Sequence, residues 1–151
     1  NKLWADLEKE NKAGINSRHR AIIKRLKKAG LKNNSVVLEI GCGIGAISGL
    51  ILKNTPRGYF VGADISNETI EFVRKKYSHF HNAEFIVSDM TQFHHSKKFD
   101  IVVLPDVLEH IPKEAHGNIF KTIRNLIKED GLVFINIPEP RFLEWFHKVL
   151  L

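Results

Sequence analysis

Five short apolar runs recur along the chain, and stretches with helical spacing lie between most of them. The runs are 36–40, 58–63 ending in Asp64, 84–88, 99–104 and 132–137. Runs this short, rich in Val, Ile and Phe, read as strands buried on both faces. Ile44, Ile47, Leu50 and Ile51 repeat at helical intervals after the first run. Ile70, Phe72, Val73 and Tyr77 do so after the second, and Ile119, Phe120, Ile123, Leu126 and Ile127 after the fourth. Ser66 is placed to cap the second of these helices, with Glu68 in its first turn. Pro112 is placed to open the last one. Strands that alternate with helices predict an α/β, doubly wound, mostly parallel sheet with helices on both faces.

At 151 residues the chain is one domain with room for a real core, and its 43% hydrophobic and 26% charged fractions are ordinary. No run is long enough to cross a membrane, and no membrane partner is expected. No apolar leader is visible, and the first residue is Asn1, so a processed or trimmed chain is expected. One cysteine, Cys42, rules out an internal disulfide and fits a reducing, cytoplasmic setting. The net charge of +6 is uneven, since residues 1–35 hold ten Lys/Arg against three Asp/Glu. This predicts a basic helical segment over 1–34 before a ligand-binding domain over 35–151. Ile15, Ile22, Ile23 and Leu26 form its apolar stripe, with Gly30 as the stop. Basic residues within 18–32 would attract an anionic partner such as nucleic acid. Aromatics for base stacking are absent there, so a solvated helix face packed on the sheet is preferred.

The candidate chemistry begins where the first strand ends. Glu39-Ile-Gly41-Cys-Gly43-Ile-Gly45-Ala46 is a glycine turn between a strand and a helix. Such a turn lets backbone approach a ligand, and the helix N-terminus beyond it favours a carboxylate or phosphate. Asp64, about twenty positions on, stands where a ribose would be held. Two cofactors remain open at this point. G-x-G-x-x-A matches the dinucleotide fingerprint of nicotinamide-dependent oxidoreductases. E-x-G-x-G-x-G resembles motif I of the class I S-adenosylmethionine-dependent methyltransferases.

The later segments lean to the second. Ser88-Asp89-Met90 follows the third strand, and Asp106-Val-Leu-Glu109-His110-Ile follows the fourth. Together with Ala63-Asp64-Ile65-Ser66 they resemble, in order and spacing, the small-molecule and quinone-biosynthesis methyltransferases. The resemblance covers roughly 36–138. It implies a Rossmann-like sheet of order 3-2-1-4-5-7-6, with S-adenosylmethionine over the carboxyl ends of the first strands. It also implies that Glu39, Gly41, Cys42, Gly43 and Gly45 hold the methionine end, with Asp64 and Ile65 at the ribose and Asp89 and Met90 at the adenine. Leu104, Pro105 and Asp106 would border the site of methyl transfer. The implied reaction is transfer of a methyl group to an O, N or C nucleophile of a small molecule. His110, with Asp106, is the candidate catalytic pair, since imidazole suits acid–base work near neutral pH.

If the turn after the fourth strand is helical, Asp106, Glu109 and His110 share one face and suit Mg²⁺ or Mn²⁺. That arrangement resembles the metal-binding turn of RNA 2′-O-methyltransferases. The reading without a metal is preferred, and a catalytically silent nucleotide-binding module is a further alternative. The family's sixth and seventh strands have no residues left to form them, so strands 1–5 alone are expected in this chain. The fifth strand would then be an unpaired edge. That edge, or the apolar and helix-like 142–151, offers a route to oligomers.

Overall fold

The computed structural model describes residues 2–137. Helices α1 (Lys2–Ala13) and α2 (Ser17–Ala29) precede β1 (Val36–Ile40), α3 (Ala46–Asn54), β2 (Tyr59–Asp64), α4 (Asn67–Lys76) and β3 (Ala83–Val87). Then come β4 (Phe99–Pro105), a 3₁₀ turn (Leu108–His110), α5 (Lys113–Leu126) and β5 (Ile127–Asn136). All pairings are parallel and the strand order is β3-β2-β1-β4-β5. This is the expected doubly wound sheet, with the expected order for its first five strands. β1 lies at its centre, with Val37 level with Phe60 on one side and with Ile101 on the other.

The two faces separate along each strand because successive side chains point to opposite sides. Val37, Phe60, Ile101 and Val103 pack with Ile22, Leu26, Ile51, Ile70 and Val73 of α2, α3 and α4. Leu38, Val61, Val102 and Leu104 pack with Ile119, Ile123 and Leu126 of α5. Asp100, at the start of β4, ties the amino edge, accepting from the Val36 N–H at 2.7 Å and from Lys128 Nζ at 2.6 Å.

Two expectations are corrected. The N-terminal stripe does not run through Ile15, which is exposed between two helices. Asn16 starts α2 afresh, accepting from the His19 N–H at 3.0 Å, and the His19 ring accepts the Asn16 N–H in return. The fifth strand does not wait for the apolar run at 132–137, since residues 128–131 already belong to it. They stay in β5, where two steps of β4, from Phe99 to Ile101, are matched by five of β5, from Ile127 to Leu132. The Lys128–Asp100 pair holds that irregular stretch against its neighbour. Among the described residues β3 and β5 are the sheet edges, and no helix is long and apolar enough to cross a membrane. The expected helix over 142–151 lies outside the described residues.

Candidate functional site

The strand order reverses between β1 and β4, and on an open α/β sheet that reversal opens a crevice at the carboxyl edge. A cavity of about 500 Å³ lies there. Ile40 and Gly41 from the end of β1 line it, with Asp64 and Ile65 from β2, Ser88 to Thr91 after β3, and Asp106 and Val107 after β4. The turn and start of α5 close it with His110, Ile111, Pro112, Ala115 and Ile119. Its wall is mostly apolar, with a few polar groups converging, as a small-molecule site requires.

The glycine turn is gripped by the end of β2. Gly41 and Cys42 both donate their N–H to the Ala63 carbonyl, at 2.7 and 3.0 Å. Gly43 donates to Asp64 Oδ2 at 2.9 Å, and Ser66 donates to Oδ1 at 3.0 Å. Asp64 is thus fixed by two backbone donors while it lines the cavity. Gly43 and Gly45 have φ of 51° and 80°, in the left-handed region where a side chain is strained. Gly41, at φ 73°, is left-handed as well, and a Cβ there would also run into the Val107 side chain.

Two non-glycine residues of the cavity wall share that left-handed conformation, Met90 at φ 68° and Asp106 at φ 55°. Such residues cost on the order of 1 kcal/mol or more and persist where their surroundings overdetermine them. Met90 is buried and donates its N–H to Ser88 Oγ at 3.0 Å. Asp106 donates its N–H to the Asn136 carbonyl at 2.8 Å and accepts from Asn136 Nδ2 at 2.9 Å. Its other carboxylate oxygen is paired with the Arg18 guanidinium of α2. Asp89 is fully exposed, and its bonds from the Thr91 N–H and hydroxyl hold its carboxyl below the usual range.

Of the residues expected at the cofactor, Gly41, Asp64, Ile65, Asp89, Met90 and Asp106 line this one cavity. Glu39, Cys42, Gly43, Gly45, Leu104 and Pro105 do not. Leu104 is core on the α5 side. Glu39 points the other way, only 1% exposed between β1 and α3, and accepts from the Ser48 hydroxyl at 2.5 Å. Burial raises its pKa to about 8, against the opposing Ser48 bond and with a smaller push from Asp64. Burial also pushes the Cys42 thiol far up, so it is not a nucleophile.

The metal-binding arrangement is corrected. It needed Asp106 one helical turn from Glu109 and His110, but Asp106 is left-handed and the 3₁₀ turn begins at Leu108. Its carboxylate is engaged by Arg18 and Asn136. Among the described residues no group of three His, Cys, Asp or Glu side chains lies close enough to hold a metal.

Sequence reasoning missed three contributors. Arg18 was read as part of a solvated face, yet it reaches Asp106. Asn136 brings the end of β5 to the same carboxylate. His116, 6% exposed on α5, places Nε2 3.1 and 2.9 Å from the Leu108 and Ile111 carbonyls. Carbonyls only accept, so the Nε2 proton belongs there and pins the turn that carries His110. No motif spacing flagged any of the three.

A family model described as Methyltransferase domain matches residues 37–131, well over half of the chain. The chain belongs to that family. Of the two readings of the glycine turn, the matches favour the methyltransferase one. It is 30% identical over 100 residues to malonyl-[acyl-carrier protein] O-methyltransferase 2 of Ilyobacter polytropus, covering 66% of this chain and 38% of that protein. It is 25% identical over 112 residues to (S)-coclaurine N-methyltransferase of Papaver somniferum, covering 73% of this chain and 31% of that protein. The chain therefore spans between about a third and two fifths of the length of these curated relatives. Among solved structures, PKMT2 from Rickettsia typhi in complex with AdoHcy superposes with a TM-score of 0.63 at 26% identity, over 68% of this chain and 21% of that one.

Proposed function

We propose that this chain is the S-adenosylmethionine-binding core of a methyltransferase whose acceptor is a small molecule with an O, N or C nucleophile. The observation that carries the reading is convergence. Side chains from the ends of β1, β2 and β4 and from the loop after β3 meet at one cavity, with Asp64 bonded into the glycine turn. The cavity's size and apolar wall fit a nucleoside with an amino-acid arm.

When bound, the cofactor supplies a methyl group on a positively charged sulfur, which an incoming nucleophile displaces in line. The residues of this chain bind and orient. The N-terminus of α3 offers N–H groups to the methionine carboxylate. Asp64 accepts from the ribose hydroxyls. Asp89 accepts from the adenine amino group, Met90 covers the ring, and Ile65 lies at the ribose. Asp106 borders the reacting end. His110 is the group that takes the acceptor's proton where the acceptor has one to lose. Holding nucleophile and methyl in line accounts for most of the effect, and such positioning is worth about 7–11 kcal/mol of barrier in favourable cases. The buried thiol and single cysteine are in keeping with a reducing cytoplasm.

The test is to incubate the protein with methyl-labelled S-adenosylmethionine and, separately, small phenols, amines and carboxylic acids. The expected result is label transfer and S-adenosylhomocysteine formation with at least one class, abolished in Asp64→Ala. No transfer to any class would count against the reading.

A further inference from the structure

Tyr77 closes the C-terminus of α4, on the side of the glycine turn away from the cavity. Its hydroxyl donates to the Gly45 carbonyl at 2.5 Å. Its neighbour Lys76 donates through Nζ to the Ile44 carbonyl at 3.1 Å. Two consecutive peptide oxygens of the turn are thus held from behind by two consecutive side chains. Neither side chain lines the cofactor cavity.

A peptide unit is planar, so fixing its oxygen fixes the direction of the N–H on its other side. The Gly45 oxygen belongs to the unit whose N–H is Ala46, the first residue of α3. N–H groups in a first helical turn have no acceptor within the helix and are free for a ligand. The Ile44 oxygen belongs to the unit whose N–H is Gly45, which donates to the Cys42 carbonyl at 2.9 Å. The Gly45 oxygen also accepts the Gly49 N–H at 3.0 Å, so the two side chains add a second restraint to peptides that already hold one backbone bond each.

The rest of the packing keeps the tyrosine in place. A Cβ at Gly45 would lie 2.5 Å from its Cε2, and one at Gly49 would lie 3.0 Å from its Cζ. Two glycines therefore clear the space the ring occupies. The ring stacks on Phe85 at 5.9 Å and 16°, and Lys76 Nζ sits 5.1 Å from its centroid. Burial, with Glu39 adding to it, raises the phenol to about 12, so the hydroxyl keeps its proton and goes on donating at neutral pH.

We infer that Tyr77, assisted by Lys76, is a positioning residue for the methionine end of the cofactor, acting through the Ile44–Gly45–Ala46 peptides. The inference rests on the S-adenosylmethionine reading above. It assigns the effect to one end of the ligand, and that distinguishes it from a general packing role.

The experiment compares wild-type protein, Tyr77→Phe and Lys76→Met by calorimetric titration with S-adenosylhomocysteine and with methylthioadenosine, which lacks the amino-acid arm. Melting temperatures are recorded in parallel. Tyr77→Phe keeps the ring and removes only the hydroxyl. It should weaken S-adenosylhomocysteine binding about three- to tenfold, as loss of one hydrogen bond does, while methylthioadenosine binding changes less than about twofold. Lys76→Met should shift the same ligand in the same direction. Unchanged S-adenosylhomocysteine affinity in Tyr77→Phe, or equal losses for both ligands, would overturn the inference while leaving the methyltransferase reading intact. Failure of the wild-type protein to bind S-adenosylhomocysteine would overturn both.

Discussion

The Gly43 N–H donates to Oδ2 of Asp64 at 2.9 Å, joining two positions 21 residues apart. A turn after one strand and a carboxylate at the end of the next are thereby one rigid unit. The Asp64 carboxylate and the glycine turn cannot move independently. Removing the carboxylate takes away ligand acceptors and loosens the turn together. Asp64→Ala is expected to weaken S-adenosylhomocysteine at least tenfold, since a hydrogen bond to a charged group is worth about 1.5–3 kcal/mol. Asp64→Asn, which keeps one acceptor oxygen, is expected to lose less. Titration of the two variants checks the order.

Glu39 gives the protein a pH dependence of unusual sign. Its ordinary value of 4.5 is raised by burial to about 8 in the folded state. Below about 4.5 the carboxyl is protonated both folded and unfolded. Between the two values the folded protein keeps a proton that the unfolded chain has released. Glu39's contribution to stability therefore falls as pH rises through this window, by up to about 1.4 kcal/mol per unit, and levels off above about 8. Glu39→Gln is expected to remove this component and to melt higher than wild type at pH 8, with a smaller difference at pH 5. Denaturant unfolding of both proteins at several pH values measures it, and parallel curves would contradict it.

Gly43 and Gly45 separate backbone strain from packing. Both have positive φ, but a Cβ at Gly43 meets nothing within 4 Å whereas one at Gly45 meets the Tyr77 ring at 2.5 Å. Gly43→Ala is expected to destabilise by roughly 1–2 kcal/mol, the cost of a left-handed alanine. Gly45→Ala adds overpacking, typically about 1–3 kcal/mol more. Equilibrium unfolding of the two variants should show that gap.

His110 lines the cavity from an exposed turn whose carbonyls are held by His116. Under the proposed role of His110 as proton acceptor, its replacement by alanine should lower kcat about 10²–10⁴-fold for an acceptor that loses a proton. Binding of S-adenosylhomocysteine should change little. A loss of cofactor affinity with unchanged kcat would give His110 a binding role instead.

Much of the fold was legible because the strand cores are continuous apolar runs and the helices carry regular stripes. Ser66 was readable as a cap, and it accepts from the Thr69 N–H at 3.2 Å. The break at 14–16 was hidden because Ile15 fits the spacing of the α2 stripe although the chain leaves the helix there. The irregular stretch at 128–131 was hidden because Lys128-Glu-Asp-Gly131 has turn composition and is held in the sheet by a distant partner, Asp100. At the site, Asp64 was named from its spacing to the glycine turn and Asp89 through the resemblance, and both line the cavity. Glu39 was named through resemblance, but its direction depends on strand register, and that turns it toward Ser48. Arg18, Asn136 and Tyr77 act across 88, 30 and 32 residues of chain, distances at which local pattern carries no signal.

The central claim is that the cavity at the carboxyl edge holds an S-adenosyl ligand through Asp64 and the glycine turn. Calorimetric titration with S-adenosylhomocysteine, with NADH as the control ligand, tests it most directly. The account predicts saturable, one-site binding of S-adenosylhomocysteine that Asp64→Ala weakens at least tenfold, and no binding of NADH. Binding of NADH in preference, or S-adenosylhomocysteine affinity indifferent to Asp64→Ala, would contradict it.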